Sequence, residues 1–410
     1  MTADAAAPRL LGPRLLGIVL LLGVTQNIGY GTLYYAYAIL VPAIAAEFAV
    51  SPAWLFGVFS AGLLASGLAA PWIGAAMDRY GAPRLMAGGS LLAGLLVAGL
   101  ALAPGPWSFA ALTIALELVS VAVLYDAAFA TLALVGGAAA RRSITHLTLL
   151  AGIASTMFWP LTGWLVEFLG WRGTYAVYAA MHLLVALPLH LWLARRTRAA
   201  AGAAAPAQAS RASGEVVLRG RAATLAFWAV AISFALSGVI MTALSVHLVA
   251  VLQAMALGTG AYLVAMLMGP AQVLIRLTDA LFWRGLHPLG VGLISALVLP
   301  LAVLMLLLPL PAMVAGAVFA VLFGFGQGLS SIVRGTIPLA LFGADRFASR
   351  LGRMAAVRTL LGAGAPFLFA AGLEMIGARG LLWVTIGFGL VAMLPLLAVA
   401  MVYWRARRVA

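Results

Sequence analysis

The sequence predicts an all-α polytopic membrane protein of twelve transmembrane helices in two pseudo-symmetric six-helix halves. Three observations predict it. Of the 410 residues, 65% are hydrophobic and 8% charged, with a mean hydropathy of +1.13, whereas a soluble domain carries about 25% charged residues. Apolar runs recur that reach the roughly 20 residues a helix needs to cross a bilayer core of about 30 Å. The segment Glu167-Phe-Leu-Gly-Trp-Arg-Gly173 also returns 207 residues later as Glu374-Met-Ile-Gly-Ala-Arg-Gly380, a sign of internal duplication.

Residues 1–14 form a short tail with Arg9 and Arg14. The apolar run after them reaches Ala46, too long for a cleaved leader with its apolar stretch of about 7–15 residues, and is read as span 1. Span 2 covers Ala53 to Met77, after Ser51-Pro52, and span 3 covers Leu85 to Leu102, before Pro104-Gly105-Pro106. Span 4 is expected to run unbroken from Ser108 to Gly137, ending at Arg141-Arg142. Span 5 runs to Leu169, and Gly170-Trp171-Arg172-Gly173 leads into span 6. Residues 195–221 lack apolar periodicity, are rich in Ala, Arg, Ser and Gly, and read as a solvated linker. Six further spans are expected at 222–253, 259–283, 288–308, 312–342, 351–374 and 380–403. The chain thus divides into a half at 1–194, a linker at 195–221 and a half at 222–410. The 207-residue shift also lays Gly31 on Gly238 and Gly62 on Gly269.

The formal charge of +14 comes from 24 basic residues, all arginine. Nineteen fall in loops or tails of one sidedness, two (Arg172 and Arg379) on the other, and three (Arg276, Arg334 and Arg358) inside spans. This asymmetry follows the positive-inside rule and predicts that both termini are cytoplasmic. The charge therefore orients the chain in a bilayer and points to no nucleic-acid partner. The absence of lysine with abundant Ala and Gly suggests a GC-rich bacterial coding sequence, and hence the bacterial inner membrane. Cysteine is absent, which removes disulfides, thiolate metal sites and thiol nucleophiles.

Between spans 2 and 3 lies the polar stretch Gly74-Ala-Ala-Met-Asp-Arg-Tyr-Gly-Ala-Pro-Arg84. Its glycines permit close approach and a tight turn, and Pro83 suits the first turn of a helix. Gly74, Asp78, Arg79, Gly81 and Arg84 resemble the loop signature of the major facilitator superfamily. That resemblance implies two parallel six-helix halves with the substrate site between them near the midplane. It also implies a gating role for this stretch, with Asp78 docking near the start of span 11 when the cavity faces outward, and Arg350 or Arg353 adding a charge pair.

Charged residues within spans are costly and mark candidate sites. Gln272, Arg276 and Asp279 share one face of span 8, and Gln327, Ser331 and Arg334 repeat the pattern on span 10. Arg358 lies on span 11. The 207-residue shift carries Asp126 of span 4 to within one residue of Arg334, so the two are candidates to pair; a structural ion pair or a snorkelling arginine is the alternative. Asn27, Tyr30, Tyr34 and Tyr37 are spaced to form one stripe on span 1, suited to a substrate polar at one end or to packing against a neighbouring span. Ser233 and Ser237 on span 7 form a weaker counterpart. Glu117 and the histidines read as structural. The charged groups inside the spans leave a net of one positive charge, which favours an anionic substrate, since arginine stays protonated and grips carboxylate bidentately. Asp126 or Asp279 is the candidate proton carrier.

Tyr30-Gly-Thr-Leu-Tyr-Tyr with Pro42 and Glu47-Phe48, the stretch from Ser60 to Pro71, and the arginine deep in span 8 resemble the monocarboxylate and oxalate:formate branch. That resemblance implies that Arg276 binds a substrate carboxylate and that Arg358 is the basic residue of span 11. Proton-coupled members carry an aspartate where this chain has Gln272, so coupling stays open between a proton gradient and anion exchange. Trp159-Pro160-Leu-Thr-Gly163 matches a scrap of the drug-antiporter signature and keeps proton-driven multidrug or metabolite efflux as the alternative. No His-Glu-x-x-His or Gly-x-Ser-x-Gly constellation is present, so an enzyme is not expected, and neither is a metal or other cofactor. Isolated charges in a duplicated chain favour a carrier over a channel, and a linker of this length cannot fold as a signalling domain. The expected secondary transporter binds a small anion, sits in the lipid bilayer and, by resemblance, is monomeric.

Overall fold

The computed structural model describes residues 11–201, 218–283 and 285–409. Among them every regular element is helical, because in hydrocarbon a helix satisfies its own backbone groups. The elements are α1 Pro13–Phe48, α2 Pro52–Tyr80, α3 Ala82–Ala101, α4 Pro106–Ser120, α5 Tyr125–Val135, α6 Ala140–Ala151, α7 Ala154–Met181, α8 Leu187–Ala201, α9 Gly220–Leu252, α10 Gly260–Met266, α11 Met268–Phe282, α12 Pro288–Met305, α13 Ala312–Phe342, α14 Phe347–Ala363 and α15 Ala365–Val409. Among the described residues ten stretches are long and apolar enough to cross a membrane. Two of them, Gly137–Thr197 and Phe347–Arg405, are 61 and 59 residues long. At about 1.5 Å per residue neither fits as one straight rod.

Local chemistry sets the ends. Ser51 caps α2 by accepting the Trp54 amide at 3.1 Å, and proline occupies the first turn of α2, α3, α4 and α12. Gly81, at φ 91°, is the single residue separating α2 from α3. The expected loop at 74–84 is therefore nearly all helix: Asp78 and Arg79 lie in the last turn of α2, and Arg84 in the first of α3. Gly170 (φ 66°, ψ 176°) and Gly377 (φ 69°, ψ 169°) interrupt the two over-long stretches. These glycines are equivalent under the 207-residue shift. Ala49 (φ 52°) and Ala256 (φ 67°) are equivalent too and share the left-handed backbone, rare for a residue with a Cβ. The duplication thus extends from sequence into backbone conformation.

Four expectations need correction. Span 4 is not one helix: residues 121–124 unwind between α4 and α5. Span 5 breaks at Gly152–Ile153 and span 8 at Leu267. Part of the 195–221 linker is helical, since α8 runs to Ala201 and α9 begins at Gly220, while 202–217 lie outside the described residues.

Buried apolar residues gather into four clusters. One lies within 28–179, one within 240–386 and one within 226–403, while the fourth joins residues 19–193 to Phe347, Ala348 and Leu351. The same fourth cluster brings the start of α1, the α2–α3 turn, the end of α8 and the start of α14 together. Tyr403 meets His287 with ring centroids 4.6 Å apart, near the turn whose Leu286 carbonyl accepts from Arg141. These segments define one face, called here the terminal face.

Candidate functional site

The two sets of helices meet mainly through α2 with α14, α6 with α11 and α13, and α5 with α13 and α14. The α2–α14 contact is made by small residues. A Cβ on Gly67 would come within 2.5 Å of Thr359 Cβ, one on Gly74 would overlap the Ala348 carbonyl oxygen, and one on Gly352 would overlap that of Ala70. Asp78 accepts from the Ala348 amide at 3.1 Å, the Ser349 amide at 2.8 Å and the Ser349 hydroxyl. Arg346, before α14, provides no side-chain cap, so a carboxylate from α2 satisfies the exposed amides and meets the positive helix end. Neither arginine forms a direct ion pair with Asp78, although Arg350 lies within electrostatic reach of it. Arg350 turns back to the Phe342 carbonyl at 2.8 Å and the Asp345 carbonyl at 2.5 Å, closing its own preceding turn. Arg353 is exposed. Arg79 lies 5.1 Å over the Tyr80 ring, and Arg84 reaches the Tyr80 carbonyl at 3.5 Å.

Deeper in, two adjacent residues of α1 service the two breaks in its neighbours. Gln26 donates to the Val123 carbonyl at 2.7 Å, inside the unwound 121–124 segment. Asn27 donates to Gly23 O at 2.8 Å and to Leu150 O at 3.1 Å, beside the Gly152 break. Irregular backbone at membrane depth needs such partners. The side-chain carbonyls Gln26 Oε1 and Asn27 Oδ1 are buried with no hydrogen-bond partner among the described residues.

The tyrosine stripe is rearranged by a π-turn at Gly31–Tyr35. Its extra residue per turn puts Tyr35, rather than Tyr34, beside Tyr30, with centroids 6.4 Å apart. Gly31 permits the close approach of Phe158, whose ring occupies the place of a Cβ. Tyr30 also packs at 4.6 Å on Tyr125, and Tyr35 at 6.2 Å edge-on to Trp159. Tyr34 is about half exposed, 5.9 Å from Phe59. Tyr37 turns away into the core, stacks on Phe59 at 4.6 Å and donates to Leu55 O at 2.7 Å.

Three arginines converge below these rings. Arg334 Nη2 lies 3.4 Å from Asp126 Oδ1, and its guanidinium carbon 5.9 Å from the Tyr125 centroid. The break in span 4 places Asp126 in the first turn of α5, where the helix dipole also favours its charge. The stem of Arg358 packs on Gly238, where a Cβ would lie 3.0 Å from its Cγ. Its head lies within electrostatic reach of Arg334, Asp126 and Tyr30, yet no hydrogen bond or ion pair reaches it among the described residues. Arg276 is buried. Its Nε lies 3.1 Å from Ser331 Oγ and 3.5 Å from Gly328 O, Nη1 3.5 Å from Thr148 O, and Nη2 3.4 Å from Gln272 Oε1. Gln272 donates onward to Gln327 at 2.9 Å and Gln327 to Ser245 at 2.7 Å. Gly152 gives the Arg276 head its space.

Asp279 does not join this cluster. It accepts from Thr145 at 3.3 Å across the α6–α11 contact, on the Arg141 side. The central set is therefore three cations and one carboxylate, more positive than the charged groups counted inside the spans. Among the described residues no three His, Asp or Glu gather to hold a metal.

The sequence reading missed Gln26, Tyr35 and Tyr125, which only the breaks and the π-turn bring inward. It also missed a buried chain in which Thr32 meets His182 at 2.8 Å, and His190 meets Ser90 at 2.7 Å and Thr25 at 3.0 Å. Its only sequence signal was the eight-residue spacing of the histidines. Glu117 is buried against Gly62.

A family model described as Major Facilitator Superfamily matches residues 23–366. No curated protein matches the chain. Among solved structures, the human organic anion transporter MFSD10 (TETRAN) is similar with a TM-score of 0.69 and 16% identity, covering 94% of this chain and 100% of that one. The proton:xylose symporter XylE, bound to 6-bromo-6-deoxy-D-glucose, has a TM-score of 0.68 and 12% identity, covering 93% and 94%. At these identities the likeness carries the fold alone.

Proposed function

The chain belongs to the Major Facilitator Superfamily, and from that premise we propose that it is a secondary active transporter for a small organic anion, a carboxylate, working by alternating access. Its coupling is to a proton gradient or to anion exchange. The observation that carries the reading is Arg358: a cation between the two sets of helices, beside the Asp126–Arg334 pair, with no partner of its own among the described residues. Holding a half-buried cation away from bulk water without a direct ion pair is costly, and an anionic substrate offsets that cost. Arg276, with Gln272 and Ser331, supplies a second gripping point, and Tyr30, Tyr34, Tyr35 and Asn27 border the site. Asp126 and Asp279 are the carboxylates available for proton coupling.

The breaks at Gly170 and Gly377 in the two over-long stretches support reading the ten apolar stretches as twelve spans in two six-helix halves. The main contacts that join the halves run from mid-depth toward the terminal face, which corresponds to an outward-facing state if that face is cytoplasmic. The arginine distribution supports that orientation in a bacterial inner membrane. The gate is then Gly74, Gly81, Asp78 and Arg79 of the α2–α3 turn against the start of α14, with Arg350 bracing that start from within. Asp78→Asn is expected to raise labelling of a single cysteine at the terminal face about fivefold, the effect of roughly 1 kcal/mol at a helix end. An unchanged labelling rate would remove the gating role. The aromatic wall of Tyr34, Tyr35, Phe59 and Trp159 favours a second reading, efflux of lipophilic compounds.

Proteoliposome flux separates the two. Saturable uptake or exchange of one small carboxylate, competed by its congeners, supports the anion reading. Flux of lipophilic cations or neutral drugs with no carboxylate transport overturns it.

A further inference from the structure

The duplication exposes a second anion position, on the face opposite the termini. In the first half Arg172 is saturated. Its guanidinium holds Glu47 at 2.7 Å and donates to Ala101 O and Ala103 O, each at 2.8 Å. It also lies 4.3 Å over Trp171 and 5.7 Å over Phe48, and the Trp171 ring nitrogen donates to Glu47 at 2.6 Å. The 207-residue shift carries Arg172 to Arg379, and Ala101 and Ala103 to Leu308 and Leu310. The register is sound here, because it also pairs the left-handed residues Ala49 with Ala256 and Gly170 with Gly377. What is not carried over is the filling. Glu47 falls on Ala254, Trp171 on Ala378 and Phe48 on Met255.

A cavity of about 370 Å³ stands there, lined by Arg379, Met255, Leu257 and the turn that includes Leu308 and Leu310. Among the described residues Arg379 has no hydrogen-bond or ion-pair partner. We propose that this cavity binds an amphiphilic anion, whose carboxylate or phosphate head takes on Arg379 the place that Glu47 takes on Arg172, and whose apolar part replaces the missing indole. The lining fits that class: one guanidinium with leucine and methionine side chains about it. A small hydrophilic anion would leave this apolar wall uncovered, and a neutral lipid would leave the cation unmatched. The site lies apart from the central arginines and does not depend on their function.

Two substitutions isolate it. Ala254→Glu restores the missing carboxylate from within the chain, and Arg379→Gln removes the cation. Thermal unfolding of the full chain in neutral detergent is followed with decanoate, with decanol as the uncharged control. Decanoate, but not decanol, is expected to raise the apparent melting temperature by about 2 °C or more. Ala254→Glu is expected to raise it without ligand and to abolish the decanoate shift, and Arg379→Gln to abolish the shift alone. Arg358→Gln, at the central site, should leave the shift intact. In nanodiscs, stabilisation by phosphatidylglycerol over phosphatidylcholine that needs Arg379 would identify the bilayer as the source of the anion; stabilisation by decanoate alone would identify a free amphiphile. Equal decanoate shifts in the parent and both cavity variants, or no shift with either probe, would overturn the proposal.

Discussion

Gly352→Leu is expected to disfavour closure at the terminal face and to lower transport about 5- to 100-fold. The position has no room: any Cβ there meets the carbonyl of Ala70, and Gly74 meets that of Ala348 in the same way. A flexible side chain can move aside, but these neighbours are helix backbone, so α2 and α14 must separate. Overpacking of this kind costs about 1–3 kcal/mol, and each 1.4 kcal/mol shifts a two-state balance about tenfold. The cost falls only on the state in which these helices touch, so the chain is driven toward the other state rather than unfolded. The chain contains no cysteine, so one introduced cysteine at the terminal face reports the change cleanly. Its labelling should rise as uptake falls. Uptake within twofold of the parent protein, with unchanged labelling, would show that this glycine contact does not form the gate.

Arg358→Gln is expected to weaken binding of the proposed carboxylate substrate about 10- to 100-fold while leaving the folded chain intact. A hydrogen bond to a charged group contributes about 1.5–3 kcal/mol, and among the described residues Arg358 makes no hydrogen bond or ion pair that its removal would strand. Arg334 differs, because its loss strands Asp126, and so does Arg276, which holds Gln272, Ser331 and Thr148 together. Arg358→Lys should restore part of the affinity, since an ammonium keeps the charge but not the bidentate fork. The check is a dissociation constant from calorimetry or ligand-induced stabilisation, with melting temperature monitored alongside. Unchanged affinity in Arg358→Gln would move the anchor to Arg276.

The membrane class, the helical content and the duplicated segment were legible in the sequence because hydropathy and repetition are properties of the chain itself. So were the candidates Arg276, Arg334, Arg358 and Asp126, since a charge inside an apolar run is conspicuous wherever it points. Helix continuity was not legible. Residues 121–124 and Gly152 sit in apolar stretches that read as unbroken, and they unwind because Gln26 and Asn27 from another helix satisfy the freed carbonyls. The tyrosine face was misread for a related reason. A stripe drawn at 3.6 residues per turn selects Tyr34, and one π-turn substitutes Tyr35. The difference between Arg172 and Arg379 shows the same division. Sequence alone makes them equivalent, but only packing shows that one is saturated by Glu47 and the other stands over a cavity. Local composition thus determined what must lie in the membrane and which charges lie within it. Tertiary contacts decided where the backbone breaks, which ring turns inward and which cation makes no ion pair among the described residues, because each depends on a group supplied by a segment distant in the chain.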